Sequence, residues 1–165
     1  MPEKQTVERV KKAKREGKSA STQSGEFVRE EIQHIREGKH GAQSTKQAIA
    51  IGLSKARRAG VNLPPPKKGS VSEKTRRSAE RAYNMGRRGK LKPSRRRSQA
   101  RERVLKREGR GAASRKQLAK QARSAAQRRT RAARSASARR AVQTKGRAGR
   151  SAAARKAART RAQRS

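Results

Sequence analysis

His34 and His40 are the first residues whose chemistry needs weighing, because Glu30, Glu31 and Glu37 stand close enough in sequence to share a metal with them. Glu30 and His34 are i and i+4 on a helix and share a face. His40, however, lies beyond a helix stop at Gly38. Solvated surface histidines are therefore expected, and no metal site. The rest of the catalytic repertoire is thin. The chain has no Cys, no Asp and no Trp, and a single Tyr. A disulfide, a thiolate zinc site and a cysteine nucleophile are excluded, and no Gly-rich phosphate loop or carboxylate pair offers another route to catalysis. No enzyme activity, cofactor or small-molecule substrate is expected.

The abundant chemistry is cationic. The 165 residues carry 50 Lys and Arg against 11 acidic groups, a net +39. The balance shifts along the chain: net +7 over residues 1–66, +13 over 67–108, and +19 over 109–165, where no acid occurs at all. Guanidinium and ammonium groups in such density bind phosphate, releasing its condensed counterions, and the partner expected is nucleic acid. The candidate contacts are Arg87, Arg88, Lys90, Lys92, Arg95, Arg96 and Arg97, then Arg115, Lys116, Lys120, Arg123, Arg128, Arg129, Arg131, Arg134, Arg139, Arg140, Lys145, Arg147, Arg150, Arg155, Lys156, Arg159, Arg161 and Arg164. A unit of the form Arg-Ser-Ala-x-x-Arg-basic recurs at 123–129, 134–140 and 150–156. Repeated basic units suit evenly spaced phosphates better than one shaped pocket.

Aromatics narrow the choice of nucleic acid. Single strands need stacking platforms, and only Phe27 and Tyr83 are available. An RNA-recognition sheet is excluded by the lack of strand patterns. Ser44–Ala59 resembles a recognition helix, but the loop before it is long for a DNA-reading helix-turn-helix and no Asn or Gln sits in its interior to read bases. Duplex DNA, bound with little sequence preference, is preferred over RNA. A ribosome-associated RNA binder and a protein adaptor with a basic tether are the rival readings. A membrane partner is not expected, because the tail has almost no large apolar side chains to insert.

These cations need elements to carry them, and the composition restricts which can pack. Leu, Ile, Val and Phe number 17, about a tenth of the chain, too few for one globule spanning all of it. The expected fold class is all-α: a short helical hairpin with extended Ala/Arg-rich arms, helical or disordered, and no single globular core. The arms should be coil or fluctuating helix when free and ordered once phosphates neutralise them. Five segments are expected. A basic N-terminal helix and polar linker occupy 1–23, the hairpin module 24–63, a Pro/Lys linker 64–69, basic helices 70–108, and the Ala/Arg-rich tail 109–165.

Within the hairpin, a Ser/Thr/Gln linker is expected to run to about Ser24 and a helix to span Glu26–Glu37. Val28, Ile32 and Ile35 form its stripe, Phe27 lies at the edge, and Glu31 intrudes. Ser44-Thr45-Lys46-Gln47 is a capping box opening a second helix to Ala59, with Gly60 as its stop. Ile49, Leu53 and Ala56 share a face there with Ala48, Gly52 and Ala59, whereas Lys46, Lys55, Arg57 and Arg58 fall off it. Val61 and Leu63 should help close the hairpin. A third helix should open at the box Ser70-Val71-Ser72-Glu73, place Val71, Ala79, Ala82 and Met85 on one face, and end at Gly86 and Gly89. A fourth runs from about Ser94 to Glu108. The string 36–47 recurs, one residue shorter, at 107–117, so a helix–loop–helix is read as used twice.

Lys46-Gln47-Ala48-Ile49-Ala50-Ile51-Gly52-Leu53-Ser54-Lys55-Ala56-Arg57-Arg58-Ala59-Gly60, preceded by the Glu26–Glu37 helix, resembles a family of small basic bacterial proteins known mainly as a domain of unknown function. The resemblance covers residues 24–63. It implies a bacterial source and a cytoplasmic setting, and brings no activity. The tail from Ser114 is similar to linker-histone-like tails and bacterial histone-like proteins, which implies a place in the nucleoid. The hairpin is left as a module for a protein partner or self-association.

Overall fold

The computed structural model describes residues 2–89 and 94–163. Among them every regular element is helical: α1 (Lys4–Arg15), α2 (Ala20–Arg36), α3 (Thr45–Arg58), α4 (Glu73–Arg88), α5 (Arg95–Arg107), a 3-10 turn (Arg110–Ala113), α6 (Arg115–Gln127) and α7 (Arg131–Ala162). The chain is all-α, as expected. It divides into two compact units, one running to Gln121 and one from Ala122 onward.

In the first unit α2 packs against α1, α3 and the 3-10 turn, and α3 packs in addition against α4. Two buried clusters hold it. Phe27, Ala56 and Val61 form one, with Val10, Ala20 and Leu63 against it. Ile32, Ile35, Ala42, Ala48, Ala112 and Ala113 form the other, with Val28 and Leu118 at its margin. Alanines fill much of this core because the helices approach closely. A Cβ on Gly52 would run into the Val28 backbone, which fixes α3 against α2. Val61 and Leu63 close the hairpin as expected.

α2 begins two turns earlier than its apolar stripe suggested. The stretch expected to be a linker is its first turns: Ser19 caps it by accepting from the Thr22 amide at 3.3 Å, and buried Ser24 donates its hydroxyl to the Ala20 carbonyl at 2.7 Å. A polar composition hid the helix, because these hydroxyls bond the helix's own backbone. At the other end Gly38 takes φ 76° and turns the chain back, as the stop there required.

α3 starts as expected, Ser44 accepting from the Gln47 amide at 3.2 Å, while the Gln47 side chain accepts from Gln43 rather than from Ser44 itself. Its buried line is Ala48, Gly52 and Ala56, with Arg57 beside it. Two cations expected off this face are therefore engaged. Arg57 is buried and donates from Nε to the Leu63 carbonyl and from Nη2 to that of Pro64. Burial lowers its guanidinium pKa. Lys55 turns toward Glu30 and Glu31. The small side chains on this face leave room for both long stems to fold inward.

In α4 the cap is Ser72, which accepts from Thr75, so Val71 stands before the helix and is 38% exposed rather than on its packed face. Gly86 does not end the helix. It continues to Arg88, and Gly86 lies where the α3 C-terminus touches α4, with no space for a Cβ beneath the Arg57 carbonyl.

The repeated string gives the unit its least expected feature. Each copy is a helix, a tight loop and a Ser cap, Ser114 accepting from Gln117 as Ser44 does from Gln47, and the two loops interlock. The Gly41 amide donates to the Leu105 carbonyl at 2.8 Å and Ala42 to Gly109 at 3.2 Å. Thr45 Oγ1 donates to the Ala112 carbonyl at 2.6 Å, and Arg36 Nε to that of Ala113 at 3.1 Å. Gly41 has no room for a side chain against the Glu108 carbonyl.

His34 and His40 are not solvated, their side chains being 12% and 14% exposed. Gly38 folds the chain back so that both rings sit over the last turns of α2, 6.1 Å apart and edge to face.

The second unit is built differently. Beyond Ala113 no described residue is buried. α7 is interrupted at Gly146, whose φ of 61° and ψ of −177° suit glycine alone. With no buried side chain among its described residues, this helix relies on the propensity of Ala and Arg.

Candidate nucleic-acid interface

The proposed contacts fall on successive helices. Arg87 and Arg88 end α4, Arg95, Arg96 and Arg97 open α5, and Arg115, Lys116, Lys120 and Arg123 lie along α6. Arg128 and Arg129 sit between α6 and α7. Arg131, Arg134, Arg139, Arg140, Arg147, Arg150, Arg155, Lys156, Arg159 and Arg161 follow on α7. All of these are exposed. Lys90, Lys92 and Arg164 lie outside the described residues, as does the side chain of Lys145.

Residues 1–108 hold every carboxylate side chain of the chain, and these compensate cations locally. On α4, Arg76 grips Glu73 with Nη2 to Oε1 at 2.7 Å and Nε to Oε2 at 3.0 Å. That fork holds the Glu73 carboxyl down to about 2. Arg77 shares Glu73, and on α5 Lys106 pairs with Glu102 at 2.9 Å. Such cations are committed to internal partners. From Gly109 onward no side-chain acid exists to commit one.

The repeated basic unit acquires a shape on the helix. Its cations stand at relative positions 0, +5 and +6, which at 3.6 residues per turn places them about 0°, 140° and 240° around the axis. They therefore surround the helix instead of forming one stripe. Arg134, Arg139 and Arg140 do this before the Gly146 break, and Arg150, Arg155 and Lys156 repeat it after. The small polar residues between them turn inward: Ser137 donates to the Ala133 carbonyl and Ser151 to that of Arg147. That leaves the outer surface to the arginines.

The aromatics are occupied elsewhere. Phe27 is 1% exposed, and the Tyr83 hydroxyl donates to Asn62 Oδ1 at 2.7 Å. Arg87 lies over the Tyr83 ring at 5.8 Å, beside an open cleft also lined by Arg57, Gly60 and Val61. The cleft leaves no mark in the sequence, where Arg57 lies off the apolar face of its helix. α3 is packed on both α2 and α4.

Residues 3–68 match a family of unknown function, DUF6496. The matched stretch takes in α1, α2 and α3, ends before α4, and so leaves the basic tail outside it. No curated protein and no solved structure matches the chain. No described helix is long and apolar enough to cross a membrane.

Proposed function

We propose that the chain is a non-enzymatic, histone-like protein of the nucleoid that binds duplex DNA through its phosphates with little sequence preference. The observation that carries this reading is the tail from Ala122 onward: exposed cations on all sides of its helix, no side-chain acid after Glu108, and no buried side chain among the described residues. A helix fits the major groove, whose two walls are rows of phosphates. A helix charged around its circumference can neutralise both walls at once, which a one-sided basic stripe cannot. The burial of Phe27 and the pairing of Tyr83 count against single strands, which need exposed rings.

The tail is best removed at Gln121. Ala112, Ala113 and Leu118 belong to the folded core, so cutting at 109 would damage the first unit. Residues 122–165 carry 15 of the 50 basic groups. Deleting them should weaken duplex binding by orders of magnitude and reduce the slope of log affinity against log salt by roughly 5 or more, at about 0.9 per phosphate contact. Circular dichroism should still show α1–α5. Affinity retained in this truncation would refute the tail as the binding element.

A further inference from the structure

Glu31 is the most anomalous polar residue in the first unit. Its side chain is 1% exposed, and neither carboxylate oxygen accepts a hydrogen bond of sound geometry. Oε2 lies 2.6 Å from Lys55 Nζ, and Oε1 lies 3.3 Å from His40 Nε2. A buried carboxylate left in this condition is costly unless a cation completes its surroundings.

Lys55 does not complete them alone, because it also faces Glu30 Oε1 at 3.3 Å. The neighbouring Glu3 and Glu37 share Lys39. Four carboxylates thus meet two lysines, and with neutral imidazoles the cluster has a net charge of −2, within a chain of +39.

The two rings are oriented as metal ligands are. His40 Nδ1 lies 3.0 Å from the Gly41 carbonyl, and its Nε2 faces Glu31 Oε1 at 3.3 Å. His34 Nε2 lies 2.8 Å from Glu3 Oε1. Outer carbonyl and carboxylate partners of this kind fix the tautomer of metal-binding histidines.

We propose that Glu31, His34 and His40 form a binding site for a divalent transition-metal ion, with Zn²⁺ as the best-fitting occupant. Their donor atoms all lie within 4.8 Å of one another. Tetrahedral ligands at zinc distances stand roughly 3.3 Å apart, which the Glu31–His40 pair already meets. His40 sits in the loop after α2, so its distance to His34 can shorten without moving the helix. Two imidazoles and a carboxylate favour zinc-like ions over Mg²⁺ or Ca²⁺, which prefer all-oxygen sets. The ion would tie α2 to the 39–43 loop, whose Gly41 and Ala42 hold the interlock with residues 105–109. This site is independent of the DNA-binding reading.

The test uses the full-length chain, stripped of metal by a chelator and titrated with Zn²⁺ against a chromophoric competitor, with Co²⁺ as a spectroscopic probe. The expected result is one Zn²⁺ per chain, visible Co²⁺ bands typical of low coordination number, and a raised Tm. His34→Gln and His40→Gln should each weaken Zn²⁺ binding by more than about 100-fold, beyond the usual effect of losing an outer partner. Far-UV circular dichroism of both variants establishes that they are folded. As a second readout, Zn²⁺ should shift the ring resonances of both histidines in the unaltered protein. Absence of binding, or binding that survives both substitutions, would overturn the site and leave the cluster as a buried ion-pair network.

Discussion

Gly41 shows most plainly what one residue decides. Its amide donates to the Leu105 carbonyl, and its missing side chain lets the 107–109 backbone pass directly against it. Gly41→Ala should destabilise the first unit by about 1–3 kcal/mol, the usual cost of forcing extra volume into a packed contact. Gly111→Ala, where a Cβ would meet open space, should be nearly neutral, and urea unfolding of the two variants makes the comparison. Glu3 gives a second test. The His34 hydrogen bond, followed by that of Lys39, lowers its carboxyl from 4.5 to about 2. A depressed carboxylate contributes stability above its ordinary pKa and loses it as pH falls through the folded value. Glu3→Gln should therefore be less stable than the parent by a constant amount above pH ~5. The two Tm curves should converge as pH falls from 4.5 toward 2. A difference independent of pH would mean that the carboxylate charge is not what docks α1.

At the scale of elements, α7 has no buried side chain among its described residues, so its helicity reflects propensity set against repulsion between neighbouring cations. A peptide spanning 122–165 should gain helical ellipticity when sulfate or duplex DNA is added at low ionic strength, and signal independent of both would refute this balance. Element boundaries were legible wherever backbone chemistry marks them. The glycines at 17, 38, 60 and 89 all take positive φ at helix ends, Ser44 stands at the N-cap expected, and α5 begins directly after Ser94. Boundaries hidden by composition were missed. Ser19–Ser24 look like a linker because their hydroxyls bond within the helix, and Gly86 looks like a stop because its role, letting α4 touch the end of α3, lies in a distant contact.

For the whole molecule, the sequence showed a repeat but not that its copies bind each other, since pairing between residues 36–48 and 105–113 leaves no periodic mark. Nor did it show the fate of Glu31, whose place in an apolar stripe was the one available signal of burial. The phosphate-binding set was legible as a list, while its arrangement around the helix emerged only once the helical geometry was known. The central claim is that exposed tail cations grip the DNA backbone irrespective of base sequence. It is tested most directly by the affinity of the full chain for two duplexes of unrelated sequence and for a structured RNA, across a salt series. The account predicts a steep linear fall of log affinity with log salt, equal for both duplexes and weaker binding to RNA at every point. A shallow slope with one tight duplex, or preference for the RNA, would contradict it.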